Sequence, residues 1–598
     1  MIDKTIKISI KKRSILFCMH TLGGGGAEKL LIDILQRIDV ENFDVDLCVL
    51  TRWEGVYFDA IPDDVNCFIY EDNHSFPPKK YDIEIAFLEG LATKLVALHR
   101  TDAVKIAWVH ADLYDYHCSK SYYHDIHEES LCYNMMDEII FVSHAAMHQF
   151  ERLMPKVTTK KQVIYNLIDK TCILLKSKSD IPYNFGKKMT LCTIGRLSPE
   201  KGYVRLIPVL KKLQDAGLDF YFLIIGEGHQ RNQIQNLIQE FNLEDTVFLL
   251  GFQENPYAWL KNSDIYVSVS CSEGFSLVVG EALCLGKPIV ATKVPAVAEL
   301  LGHGMYGMLV DQDEDSIYDG LKEMMSNKSL RTIYAEKAKD GAKTDIFNNQ
   351  ENLKKINDLL LHAMSPKTPL EKASQRLIAD NEVNGDIGLI HGKMGKAIFF
   401  FHYAQFTDND LYEHYAVRLI KEVVRMIHNK IPCDYENGLT GIGVGFEYLS
   451  QNGFIENNTD ELLKDFDELL FEATFSNFSL LNGYMGCARY WTYRMQNSNR
   501  TLDGEHSIVE KAMNKILDII ESCIFETVSD NELFDIYRSL YDMKRFLQFA
   551  ARIEKIIDKK EIKYLDLDVK PSLLNGIIAE SLCLISSQNQ KWQWINLL

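Results

Sequence analysis

Short apolar runs alternate with amphipathic ones through the first 360 residues. "RSILFCMHTL", from residue 13, is apolar enough for a buried strand, and "AEKLLIDILQRI" after it repeats its apolar positions at helical spacing. "FDVDLCVLT" returns to the strand pattern, as do "YDIEIAFLEG", "VKIAWVHA" and "EIIFVSH" further on. A second series starts near residue 188: "MTLCTIGR", "FYFLIIGEG", "TVFLLGF", "SDIYVSVS" and "PIVAT" read as strands with a helical pattern between each pair. Strand and helix in alternation predict parallel, doubly wound sheets with helices on both faces. The intervening "VIYNLIDKTCILLKSKSDIPYNFGKK" has no clear period and reads as a linker. Two Rossmann-like domains are therefore expected, over residues 1–170 and 171–366.

Beyond residue 366 nearly every apolar pattern is helical, broken by short glycine-containing stretches. One element recurs: "GLIHGKMGKAIFFFHYA" at 388, "NGLTGIGVGFEYL" at 437, "LLNGYMGCARYW" at 480 and "LLNGIIAESLCLI" at 573. A worn copy without the glycines, "ELFDIYRSLYDMKRFL", falls near 530. Helical hairpins of this repeat length bury their apolar faces by stacking, which predicts an all-α third domain over 380–598, a solenoid or closed toroid.

Composition removes several function classes. The net charge of -19 argues against a nucleic-acid partner. No apolar run approaches the roughly 20 residues that span a bilayer. The N-terminal "MIDKTIKISIKKRSILFCMH" fits a first strand better than a secretion signal. The 13 cysteines are scattered, without a C-x-x-C pair, so a disulfide framework or structural zinc is not expected and a reducing cytoplasmic setting fits.

The chemistry concentrates in "SEGFSLVVGEALCLGKPIVAT", residues 272 to 292, which follows a strand and opens a helix that Gly286 should cap. Glu273 would sit in the entrance loop and Glu281 about two turns into the helix, setting two acceptors along one bound ligand. The helix start itself suits a phosphate. "IGRLSPEKG" places Arg196 and Lys201 at another strand's carboxyl end, where two cations suit a diphosphate. "IIGEGHQRNQI" repeats the glycine turn at Gly226.

These segments, in this order, resemble the retaining glycosyltransferases of family 4, whose fold is GT-B: two Rossmann-like domains facing a cleft. The matching stretches are "GRLSPEKG", "GEG", "LLGF" and "EGFSLVVGEALCLGKPIVAT", and the likeness runs from residue 13 to about 360. It implies that Glu273 binds donor-sugar hydroxyls, Glu281 the nucleotide ribose, and Arg196 and Lys201 the diphosphate. Gly226, Phe275, Ser276 and Leu277 then fall at the donor. "TLGGGGAEKLL" resembles the family's first glycine loop, placing Gly24 and Gly25 near the donor or acceptor, with Glu28 where a dinucleotide fingerprint would need glycine. "AWVHADL" resembles the segment whose histidine, here His110, contacts the donor sugar, and Ser143 and Asn166 fall at structural landmarks of the cleft. The resemblance implies a nucleotide-diphosphate sugar as co-substrate, no metal or other cofactor, retention of configuration, and a glycan, lipid-linked or peptide acceptor. Peripheral contact with the inner membrane face stays open, although no basic amphipathic helix stands out. A nucleotide-sugar epimerase and a non-catalytic sugar-nucleotide scaffold are the rival readings.

The helical repeats resemble lanthionine synthetase C-like proteins. Active cyclases of that family hold zinc through two cysteines and a histidine, including a C-H-G motif. Here no Cys-His pair follows residue 366, and Cys487 and His391 match by residue type alone. The domain is expected to lack zinc. It would serve either to recruit a peptide or carrier acceptor, or as a structural module for an enzyme of surface polysaccharide synthesis.

Overall fold

The computed structural model describes residues 12–52, 55–182, 186, 188–381, 385–428, 430–456, 458–497, 508–522, 529–544, 551–553 and 555. The chain divides after Pro366 into two compact units.

The first unit holds two parallel sheets. The first contains β1 (Arg13–Met19), β2 (Phe43–Val49), β3 (Asn66–Ile69), β4 (Ile83–Ala86), β5 (Val104–Val109), β6 (Glu138–Phe141) and β7 (Lys160–Val163), in the order β3-β2-β1-β4-β5-β6-β7. The second contains β8 (Met189–Ile194), β9 (Phe220–Ile225), β10 (Val247–Gly251), β11 (Ile265–Ser268), β12 (Ile289–Thr292) and β13 (Met308–Val310), in the order β10-β9-β8-β11-β12-β13. β1 is buried from Ile15 to Met19, as a central strand covered on both faces must be. Its register runs from Arg13 opposite Phe43 on one side and from Ile15 opposite Ile83 on the other.

In each sheet the strand order reverses once, between β1 and β4 and between β8 and β11. Loops leaving the carboxyl ends at such reversals diverge and open a crevice, where open α/β sheets take their ligands. This is the GT-B architecture of two Rossmann-like lobes.

The stretch between the sheets is not a featureless linker. It holds the helix Lys170–Lys176, started by the Asp169 side chain, which accepts from Cys172 N. The last helix of the unit, Asn349–His362, returns to the first lobe. Arg13 donates to the carbonyls of Leu360, Leu361 and Ala363 at 2.8–2.9 Å, which suits a cation at a helix C-terminus. Ser365 Oγ donates to Asp137 Oδ1 at 2.6 Å. Residues near the end of 171–366 thus fasten the first lobe. One apolar core runs through both lobes, from Phe17 and Trp108 to Tyr266, Val279 and Leu360. A second covers the other face of the second sheet with Leu206, Phe222, Val267 and Leu321.

The second unit is helical among its described residues. The helix Lys393–Thr407 packs on Asp410–Met426, Leu439–Gln451 packs on Tyr484–Asn497, and Tyr484–Asn497 packs on Ile508–Ser522. Each of the first three repeats supplies a glycine turn and then a helix. A Cβ on Gly392 would lie 2.2 Å from Gly388 N, and one on Gly438 would lie 2.2 Å from Pro432 O, so these turns close only with glycine. The worn fourth copy is also a helix, Asp530–Met543. It opens with Ser529 and Glu532 in a reciprocal capping box in place of the glycines. The copy at 573 lies outside the described residues. Arg494, almost fully buried, binds Glu447 at 2.6 Å, Asp460 at 3.1 Å and Asp467 at 2.6 Å, and Tyr490 OH donates to Asp467. Among the described residues no helix is long and apolar enough to cross a membrane.

Candidate active site

The loops at the two reversals meet between the lobes. From β11 come Ser270 and Glu273, and from β8 come Arg196 and Lys201. Lys201 ends the 3-10 turn Pro199–Lys201, and its Nζ donates to Glu273 Oε1 at 2.6 Å. Ser270 Oγ donates to the same oxygen at 2.7 Å. Glu273 Oε2 takes no hydrogen bond from the described residues. Arg196 is largely exposed, and among the described residues it pairs only with Glu200, at 3.7 Å.

Glu281 is one turn into the helix Leu277–Cys284 rather than two, because the helix begins four residues earlier, at Leu277. Its Oε1 accepts Lys29 Nζ at 2.7 Å and Tyr257 OH at 3.2 Å, and Lys29 also donates to Tyr257 OH at 2.9 Å. Burial alone would lower the Lys29 pKa, but the Glu281 and Tyr257 beside it override that and raise it. Gly286 closes this helix at φ +62, with Lys287 N bonded to Ala282 O, as expected of a glycine past a helix end.

Two helix N-termini converge here. Ser276 caps Leu277–Cys284 and Gly25 caps Gly26–Leu35, and neither start carries a side-chain cap bond. Leu277 packs against Gly26, where a Cβ would come within 3.1 Å of its side chain. Uncapped starts leave N–H groups for a ligand, and both favour negative charge.

His110 follows β5 on the first lobe. Its N–H donates to Glu89 Oε2 at 2.9 Å, and its ring lies 4.9 Å from that of Phe87. Burial pushes its pKa down to about 3, against the opposing effect of the Phe87 carbonyl, so the ring is neutral at ordinary pH. Its Nε2 is buried without a partner among the described residues. Burial raises Glu89. A Cβ on Gly274 would stand 2.0 Å from His110 O, which puts the Glu273 loop against His110. Ser143 Oγ bonds Gly274 O at 2.6 Å, and Glu299 accepts from His144 N and Ala145 N across the same junction. Asn166 is buried near this boundary.

The glycines and apolar residues have more local duties. Gly226, at φ +139, lies where a Cβ would be 2.0 Å from Gly195 O, so it lets β9's loop press on the loop that presents Arg196. A Cβ on Gly24 would make only ordinary contacts with Phe252 and Val56, and one on Gly25 would meet the Glu28 side chain. Phe275 is buried beside Tyr165. Lys29, Tyr257 and Ser270 are the site members that sequence reasoning missed. Lys29 was the findable one, a cation in the first turn after a glycine loop. A cavity of about 480 Å³ lies away from the cleft at the amino ends of β1 and β2, with Lys12, Ser14, Asp44 and Lys79 in its wall.

Among the described residues, Cys487 and His391, which match the cyclase ligands by residue type, are not arranged as a zinc site. Cys487 is buried against Leu470 O, and burial pushes its thiol up to about 12, far from the thiolate a metal needs. His391 is exposed beside Glu436. No group of three potential ligands occurs among the described residues.

Family models match two separate parts of the chain. Residues 177–341 match the family model of glycosyl transferases group 1, and residues 384–564 that of lanthionine synthetase C-like proteins. The chain thus joins a glycosyltransferase group 1 domain to a lanthionine synthetase C-like domain. It is 34% identical over 216 residues to the N-acetylgalactosamine-N,N'-diacetylbacillosaminyl-diphospho-undecaprenol 4-alpha-N-acetylgalactosaminyltransferase of Campylobacter jejuni, covering 36% of this chain and 58% of the relative. It is 26% identical over 208 residues to the N-acetyl-alpha-D-glucosaminyl L-malate synthase of Bacillus anthracis, covering 34% and 54%. The chain spans between half and two thirds of the length of these curated relatives. A solved sucrose-phosphate synthase from Thermosynechococcus elongatus aligns over 58% of this chain and 98% of its own, at 15% identity and a TM-score of 0.49.

Proposed function

We propose that this chain transfers a sugar from a nucleotide-diphosphate donor to an acceptor hydroxyl, with retention of configuration. The observation that carries the reading is the convergence of Glu273, Lys201 and Arg196 with two uncapped helix starts at one cleft. Anionic diphosphate lies on the helix starts and the two cations, and the sugar hydroxyls donate to the open oxygen of Glu273. Neutral His110 offers Nε2 to a further hydroxyl of the sugar.

The bond from the anomeric carbon to the diphosphate oxygen breaks, and the acceptor oxygen bonds that carbon on the same face. The acceptor's proton passes to the departing diphosphate oxygen, so no protein base is needed. Catalysis is then positioning and charge stabilisation, with Arg196, Lys201 and the helix starts meeting the negative charge that develops on the leaving group. Because protein cations meet that charge, no divalent ion is proposed as a requirement.

The acceptor proposed is a lipid-linked or polymeric glycan. The relative from C. jejuni is named for a diphospho-undecaprenol acceptor, whereas the one from B. anthracis is named for malate. A second reading, a peptide acceptor recruited by the helical unit, is favoured by the match over 384–564. The test is a transfer assay on the full chain with each acceptor class. Product with a glycan lipid and none with peptides supports the first reading, and the reverse supports the second. No product with any acceptor, and no donor hydrolysis, defeats both.

A further inference from the structure

Lys29 and Glu281 are 252 residues apart in sequence and belong to different lobes, yet their side chains close a triangle with Tyr257. The Glu281 end of this pair is buried while Lys29 stays partly exposed, and such a pair is a modest source of stability, because desolvation consumes much of the Coulombic gain. What the triangle does is fix an orientation. Glu281 uses Oε1 for both partners, and Oε2 accepts nothing from the described residues. Lys29 spends two N–H groups on Glu281 and Tyr257, and its third has no partner among the described residues. Lys29 also stands in the first turn of Gly26–Leu35, beside the two uncapped starts.

We propose that Lys29 is the first lobe's donor-positioning residue: held by Glu281 and Tyr257, it aims Glu281 Oε2 at a ribose hydroxyl and gives its free N–H to the diphosphate. This rests on the transfer reading above. The nucleoside diphosphate is then gripped from both lobes at once, and the closed arrangement of the lobes is part of its binding site.

The experiment uses the full chain and titrates UDP and GDP calorimetrically against wild type, K29M, K29R, Y257F, E281Q and K29M/E281Q, with thermal unfolding of each. Whichever nucleotide wild type binds should bind K29M about tenfold more weakly, the loss of one charge-assisted contact. K29R should recover part of this, and Y257F should lose about two- to fivefold. In the E281Q background, K29M should cost under about threefold, because the pair is already broken. Donor KM should rise in K29M by more than kcat falls. K29M within twofold of wild type, or losses that multiply independently in the double variant, would overturn the assignment. Should K29M fail to fold, K29R and Y257F both indistinguishable from wild type would overturn it as well. Wild type that binds neither nucleotide defeats the transfer reading itself, a different result from wild type that binds and a K29M that binds equally.

Discussion

Lys201 Nζ lies 2.6 Å from Glu273 Oε1, so the cation expected on the donor's diphosphate and the carboxylate expected on its sugar are bonded to each other. The contact joins the loops after β8 and β11, the two strands at which the second sheet reverses. Lys29 does the same for Glu281 from the other lobe. Each glutamate is steadied through one oxygen, and the other has no partner among the described residues. That arrangement suits holding hydroxyls better than shuttling protons.

Substituting either member should therefore remove turnover while leaving the fold. E273Q and K201A are each expected to lower sugar transfer about 10²–10³-fold, the range for a preorganised charge contact. Circular dichroism and thermal unfolding should show one cooperative transition as in wild type. Near-normal turnover in either variant would remove Glu273 and Lys201 from the site.

Arg196 has no close partner among the described residues, with Glu200 at 3.7 Å and most of its side chain exposed. R196A should thus leave the melting temperature unchanged and still lower kcat, by about 10²-fold if it meets leaving-group charge. A fall in melting temperature without a fall in kcat would assign it a structural part instead.

Gly226 and Gly274 answer to backbone sterics. Alanine at either would put a Cβ 2.0 Å from a carbonyl oxygen, of Gly195 or of His110. At Gly226 the φ of +139 adds strain. G226A and G274A should each cost more than about 2 kcal/mol in denaturant unfolding, and G274A should also weaken donor binding by shifting the Glu273 loop. Wild-type stability in both would contradict the packing described.

The neutral histidine gives a pH dependence with a defined sign. His110 has a folded pKa of about 3 against an ordinary value near 6.5. Above pH 6.5 neither state is protonated and the group contributes nothing. As pH falls from 6.5 towards 3, the unfolded state takes up a proton that the folded state refuses, and stability is lost. H110N should melt with a shallower loss between pH 6.5 and 5 than wild type. Identical slopes would mean that folding does not lower the His110 pKa.

The core strands and the E-x7-E helix were legible because buried parallel strands are continuous apolar runs and a glycine past a helix end is distinctive. Three of the four edge strands were not. "NCFI" of β3 is mostly exposed, "KKQV" of β7 begins with two lysines, and "MLV" of β13 is three residues long, so none shows a period. The linker reading failed at Lys170–Lys176 because a seven-residue helix is too short to register one. Pairings such as Lys29 with Glu281 exist only once the lobes meet, and spacing along the chain holds no trace of them. In the helical unit the glycine repeats showed, whereas the Arg494 cluster, drawn from four separate segments, did not.

The most direct test incubates the full chain with a panel of UDP- and GDP-sugars and follows products by NMR, with E273Q alongside. The account predicts release of a nucleoside diphosphate together with a sugar, free or on an acceptor, that first appears in the donor's anomeric configuration, and no such release by E273Q. An inverted or epimerised sugar, or E273Q turning over like wild type, would contradict it.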